Sequence, residues 1–64
     1  MKRTDLIRHL LREGCHFQDE GGRHTLYKNP KTGTFSTVPR HTEIDTYLAE
    51  KICKDLGVLK PKKK

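Results

Sequence analysis

With 64 residues, of which 31% are hydrophobic, the chain can form one domain with a thin two-layer core but not two domains. So short a chain has no room for a deep substrate cavity, and any active site is therefore expected on its surface. No run approaches the roughly 18 apolar residues of a membrane helix, and no charged-then-apolar leader is present, so we expect a cytoplasmic protein.

The formal net charge is +6, and four of the lysines that produce it lie in residues 60–64, which leaves +2 for residues 1–59. A basic balance favours polyanionic partners, because each phosphate neutralised by Lys or Arg releases condensed counterions. We predict a single domain over residues 1–59 and a basic, disordered tail over 60–64. The alternative role for this tail is solubility alone.

Cys15 and Cys53 are the only thiols of the chain. They could form one disulfide, but nothing else indicates an oxidising compartment. The cysteines and histidines show neither C-x-x-C nor H-x-x-x-H spacing, so we predict no metal site and no cofactor. Both thiols are expected to be small core residues.

The first predicted elements are a helix and a short strand. Apolar residues recur at three- and four-residue spacings between Thr4, a good N-cap, and Gly14, a good residue just past a helix end. Residues 15–18 then fit a strand in which Phe17 is the expected core anchor, and residues 19–22 fit a polar turn.

The rest of the chain predicts two more strands and a closing helix. The strands span residues 23–28 and 34–38, joined by the turn-rich segment 29–33, and Pro39 ends the second of them. A helix over residues 42–56 follows from apolar residues four apart, with Thr42 and Asp45 as a variant of the capping box. Gly57 is placed to end it.

This α-β-β-β-α order predicts an α+β fold, in which a three-stranded antiparallel sheet carries both helices on one face. Neither helix can bury its apolar stripe alone, and the sheet supplies the partner.

The segment from Gly21 to Tyr27 holds the best candidate for chemistry, because two glycines lead to His24 at the start of a strand. Imidazole exchanges protons near neutral pH, as cleavage of a phosphodiester through a 2′-hydroxyl requires. We expect Tyr27 to donate a hydrogen bond or stack on a base, and the nearby cations to hold the phosphate: Arg23, Lys28 and Arg40. On residue types alone, a lone histidine is more often structural, and the strand parity that His24 shares with Leu26 also allows a partly buried core edge.

The other histidines carry weaker predictions. His41 could be an acid opposite a His24 base or could contact RNA, although ordering of the strand-to-helix turn is the favoured interpretation. His9 is expected in solvent, and His16 is expected to face away from the core, on a side that RNA could approach.

Over roughly residues 3–58 the chain resembles the HicA toxins. The matching features are a short leading helix, the Gly21-Gly22 turn running into His24 with an aromatic residue three positions later, Val-Pro-x-His at 38–41, and a closing helix that ends in Leu-Gly-Val at 56–58. In one departure, Arg23 stands between the glycines and the histidine, where many members place the histidine directly after the glycine pair. This departure leaves the strand register open by one residue.

The resemblance implies a double-stranded-RNA-binding-like fold and metal-independent cleavage of mRNA, with His24 as the catalytic histidine. It also implies neutralisation by a HicB-type antitoxin. Two other functions stay open: an RNA-binding module of the same fold that never cuts, and an inactive relative that acts as a protein-interaction partner.

Overall fold

The computed structural model describes residues 1–61, and its elements follow the predicted order. They are α1 (Arg3–Arg12), β1 (His16–Glu20), β2 (His24–Asn29), β3 (Thr34–Pro39) and α2 (Thr46–Asp55). The strands form one antiparallel sheet in the order β1-β2-β3. The predicted α+β architecture is confirmed and is consistent with a double-stranded-RNA-binding-like fold. The predicted tail begins at Lys60, and its residues 62–64 lie outside the described part of the chain.

Both helices end on a glycine in the left-handed backbone region, at Gly14 (φ 95°) and Gly57 (φ 70°). At each end the next amide reaches back to the helix: Cys15 N–H donates to Leu10 O and Val58 N–H donates to Cys53 O, both over 2.9 Å. These bonds satisfy carbonyls that the helix itself leaves unpaired, and a side chain at either glycine would strain the backbone. The predicted helix ends are therefore confirmed.

Both helices pack against the same face of the sheet. Leu6 and Leu10 come from α1, Ile52 comes from α2, and Tyr27 and Val38 come from the inner face of the sheet. The remaining buried apolar residues are Cys15, Ile44, Ala49, Cys53 and Leu56. Both thiols are thus core residues, as predicted, and burial raises the pKa of Cys53 to about 11.

The α2 helix begins at Thr46, four residues later than predicted, and the capping box of Thr42 and Asp45 is not formed within the described structure. The reason is a tertiary pairing. Arg3 N–H donates to Thr42 O over 2.8 Å, and Ile44 N–H donates to Met1 O over 2.7 Å. The segment before α2 is held extended against the start of the chain, so its backbone groups are not available to a helix.

Similarly, α1 begins one residue before Thr4, which therefore lies inside its first turn rather than at the cap. The β1 strand also differs from its prediction, because it extends through Asp19 and Glu20, which were expected in a turn. Phe17 is 55% exposed, so its prediction as the core anchor is wrong; the anchor at this point is Cys15, just before the strand.

The pairing of β1 with β2 contains a bulge. Phe17 pairs with Tyr27 and Asp19 pairs with Leu26, so Gln18 is an extra residue in β1. Because paired residues share a face, Asp19 lies on the outer face of the sheet and the following Glu20 on the inner one.

Candidate active site and nucleic-acid interface

His24 is the first residue of β2, and its side chain is exposed. A tight turn precedes it, in which Gly21 N–H donates to His24 O over 2.8 Å. A Cβ at Gly21 would lie 3.2 Å from that carbonyl, closer than most Cβ contacts in proteins. A glycine at this position therefore lets the turn close without displacing the carbonyl of His24.

Alternation along β2 places His24 on the outer face of the sheet. The buried residues of β2 are Thr25, Tyr27 and Asn29. The alternate side chains lie on the outer face of the sheet, which points away from both helices: His24, Leu26 and Lys28. His24 and Leu26 do share parity, as predicted, but the face they share is the solvated one. The interpretation of His24 as a partly buried core edge is therefore wrong.

Tyr27 lies on the opposite side of the sheet from His24. Only 6% of its surface is exposed, and its ring meets Phe17 edge to face with 6.2 Å between centroids. An odd separation of three residues within one strand places two side chains on opposite faces. Tyr27 is therefore a core residue, and the prediction that it contacts RNA does not fit its position.

The three predicted phosphate ligands do not converge. Arg23 adjoins His24 in the tight turn and is exposed. Lys28 shares the outer face with His24 but lies four residues along β2, about 13 Å away at a rise of about 3.3 Å per residue. Its ammonium stands over the ring of Phe35, 5.4 Å from the centroid. Lys28 is thus placed to contact a different phosphate from the one at His24.

Arg40 follows Pro39, which is the cross-strand partner of His24. Its guanidinium forms an ion pair with Glu20, so the two side chains bridge the sheet at the end that carries His24. Both groups are about half exposed. Exposed ion pairs are weak, so a phosphate can displace the carboxylate.

His41 is exposed two residues beyond the cross-strand partner of His24, at the same end of the sheet. Its backbone neighbourhood is fixed by the pairing of Thr42 and Ile44 with the start of the chain. The role of His41 stays a prediction. His16 is exposed and pairs with Lys28 on the outer face, as predicted. His9 is partly exposed at the surface, where its Nε2 forms a hydrogen bond of 2.7 Å with the Leu59 carbonyl.

Arg3 supports the site in a way that the sequence did not reveal. Its Nε donates to Pro39 O over 2.8 Å, and its Nη2 donates to Thr25 Oγ1 over 2.9 Å. Thr25 follows His24 in β2, and Pro39 is the cross-strand partner of His24 in β3. Arg3 therefore connects β2 and β3 next to the residue that carries the imidazole. The bonded groups are 22 and 36 residues from Arg3, and no local pattern signals pairs so distant.

Phe35 was also missed, although its position follows from strand alternation. Val38 is buried, so Phe35, three residues earlier in β3, must face outward. It is 48% exposed and pairs with Lys28.

Other kinds of site are not indicated by residues 1–61. No three His, Cys, Asp or Glu side chains in this range lie close enough together to hold a metal ion. None of its helices is long and apolar enough to cross a membrane. Two surface depressions lie on the helix side, and His24 lines neither of them.

A family model described as the HicA toxin of bacterial toxin-antitoxin systems matches residues 3–58. The chain belongs to the HicA toxin family. The match covers all five elements, including the turn and strand that carry His24. No curated protein and no solved structure matches the chain. Membership places this HicA-family chain among the toxins of toxin–antitoxin systems, and such a toxin implies an antitoxin partner.

Proposed function

We propose that this HicA-family chain is a cytoplasmic endoribonuclease that cleaves mRNA with the imidazole of His24 and needs no metal or cofactor. The observation that carries the proposal is the setting of His24: an exposed imidazole on an open sheet face, beside Arg23 and a closed glycine turn. A flexible polyanion can reach such a site without any opening of the fold.

The reaction requires a base at the 2′-hydroxyl and cations at the phosphate. The imidazole of His24 accepts the 2′-hydroxyl proton, and the 2′-oxygen attacks the adjacent phosphorus. The bond from phosphorus to the 5′-oxygen breaks, leaving a 2′,3′-cyclic phosphate and a 5′-hydroxyl. Water or His41 supplies the proton that the departing oxygen takes up.

The guanidinium of Arg23, adjacent to His24, stabilises the charge that develops on the phosphate oxygens. Arg40, at the same end of the sheet, binds a neighbouring phosphate when RNA replaces the Glu20 carboxylate. The displaced carboxylate of Glu20 then returns to solvent.

We further propose that the partner of this toxin is a HicB-type antitoxin that covers His24. A carboxylate of the antitoxin can take the place of Glu20 on Arg40 or bind Arg23, and would then compete directly with RNA phosphate. A surface site is blocked simply by occupying it.

The test is incubation of the purified chain with a defined RNA in the presence of a metal chelator, followed by analysis of the product ends. Cyclic phosphate and 5′-hydroxyl ends support the proposal. Binding without cleavage would instead indicate the non-catalytic RNA-binding module, and neither binding nor cleavage would indicate a protein-interaction role.

A further inference from the structure

We infer that the outer sheet face carries a second RNA subsite, in which Phe35 stacks on an unpaired base and Lys28 holds the phosphate beside it. The inference rests on the proposed function, because it specifies the substrate as single-stranded RNA that runs from His24 across the sheet.

The first support is the exposure of an aromatic ring where the fold does not need one. Phe35 is 48% exposed on the outer face, whereas β3 contributes Val38 to the core. Aromatic side chains on an open sheet are a common platform for single-stranded RNA, because every base has a π-face that can stack.

The second support is the charge around that ring. Lys28 pairs with Phe35 across the β2–β3 ladder and with His16 across the β1–β2 ladder. The ring of Phe35 therefore has the ammonium group of Lys28 beside it on β2, and the imidazole of His16 lies one strand further, on β1. Bases and phosphates alternate along RNA, so an aromatic ring beside a cation can stack on a base while the cation binds the neighbouring phosphate.

The composition of the outer face favours RNA over an apolar protein surface. Along β3, Thr37 separates Phe35 from Pro39, and along β2 the half-buried Leu26 lies between His24 and Lys28. The apolar residues are therefore separated by polar ones. The one carboxylate that the β1 pairing places on this face, Asp19, accepts a hydrogen bond from the amide of Glu20.

The contact between Lys28 and Phe35 suggests how the subsite is occupied. In the described state the ammonium covers part of the ring, 5.4 Å from its centroid. Stacking of a base on an aromatic ring is stronger than an exposed cation–π contact. The incoming base therefore takes the ring, and Lys28 moves onto the phosphate without losing a partner for its charge.

The experiment compares the two phenylalanines of the chain in the His24→Ala background, so that RNA is bound but not cut. Phe17 is the matched control, because it is similarly exposed at 55% but lies on the helix side of the sheet. Affinity for a fluorescent single-stranded RNA is measured for Phe35→Ala, Phe35→Leu and Phe17→Ala, with circular dichroism to verify that each is folded.

We expect Phe35→Ala to weaken binding of single-stranded RNA about tenfold, with Phe35→Leu intermediate and Phe17→Ala unchanged. With a series of RNAs that each lack one base, the loss caused by Phe35→Ala should vanish at one position. Duplex RNA should bind the Phe35→Ala protein and its parent equally, because its bases are already stacked on one another.

Equal affinities for Phe35→Ala and Phe17→Ala would overturn the inference, as would an equal loss on duplex RNA. A Phe35→Ala protein that keeps its RNA affinity but no longer binds the antitoxin would identify the face as a protein-docking surface instead. The nuclease proposal fails separately: a wild-type chain that stacks RNA on Phe35 yet leaves it intact refutes cleavage and retains this subsite.

Discussion

Arg3 and Thr25 are joined by a hydrogen bond of 2.9 Å from Nη2 to Oγ1, which connects the first turn of α1 to the residue after His24. Thr25 is buried, so its hydroxyl depends on this donor rather than on water. The same guanidinium also binds the carbonyl of Pro39 across from His24. The position of the imidazole thus depends on a residue of the opposite layer.

Replacement of Arg3 by alanine should lower both stability and cleavage. Loss of the two bonds should cost about 1–3 kcal/mol in the free energy of unfolding, because the Thr25 hydroxyl loses its partner inside the fold. Urea denaturation measures this loss, and cleavage rates are compared where both proteins are folded. Arg8→Ala is the control, since Arg8 is exposed on the same helix and pairs with Asp5. Equal behaviour of the two variants would contradict the supporting role of Arg3.

His24→Ala should abolish growth inhibition in a bacterial host and leave the fold intact. The imidazole is exposed, so its removal takes away the proposed base without opening a cavity. Circular dichroism of the purified variant checks the fold. His9→Ala is the control, because His9 is a histidine of α1 on the helix side of the sheet, away from the proposed RNA face. A folded His24→Ala protein that still degrades mRNA would exclude His24 from the mechanism.

Glu20→Gln should tighten RNA binding at low salt by up to about fivefold, the upper range for an exposed ion pair. The substitution releases Arg40 from its carboxylate partner and makes it available to phosphate. Asp55→Asn removes the same charge from α2, where Asp55 pairs with Lys51, and it controls for net charge. Similar gains for both variants would show that the effect is general electrostatics rather than competition for Arg40.

Deletion of residues 60–64 should weaken RNA affinity modestly and flatten its salt dependence. Four lysines are lost, and each phosphate contact contributes a slope of about −0.7 on single strands. Affinity titrations across a range of salt concentrations provide the measurement. An unchanged slope would show that the tail does not contact RNA.

Binding of the antitoxin should protect Arg23 and His24 from hydrogen exchange and should proceed faster at low salt. Both expectations follow from carboxylates that approach the exposed cations at the start of β2. Exchange is compared between the free and bound toxin, with association rates measured across ionic strength. Protection confined to the outer surfaces of α1 and α2 would mean that inhibition acts at a distance from the site.

The features that could be predicted from the sequence are those fixed by local chemistry. Apolar stripes predicted both helices. Gly14 and Gly57 predicted where the helices end, because a backbone position with positive φ favours glycine. The glycine turn that leads into His24 was likewise predicted from adjacent residues.

What the sequence could not provide depends on tertiary contacts. The predicted start of α2 was wrong because the carbonyl of Thr42 accepts a hydrogen bond from the amide of Arg3, 39 positions away. The faces of β2 were ambiguous because its buried row includes the polar residues Thr25 and Asn29. Asn29 is tolerated in the interior because its Nδ2 donates to Leu56 O over 2.6 Å, at the end of α2. Neither the Arg3 partner of Thr42 nor the Leu56 partner of Asn29 is visible in a local pattern of polar and apolar residues.

The bulge at Gln18 determines which face of the sheet carries Asp19 and which carries Glu20. In a regular strand, Asp19 would face the helices and Glu20 would face His24. The extra residue exchanges them, so that Glu20 meets Arg40 while the shorter Asp19, bonded to its own backbone, is the carboxylate on the side of the imidazole. Deletion of this uncharged glutamine would therefore leave Asp19 opposite Leu26 and Glu20 opposite Thr25 in a regular ladder, whereas a shift in register that pairs Gln18 with Leu26 would move Glu20 to the side of the imidazole without changing the net charge of the chain.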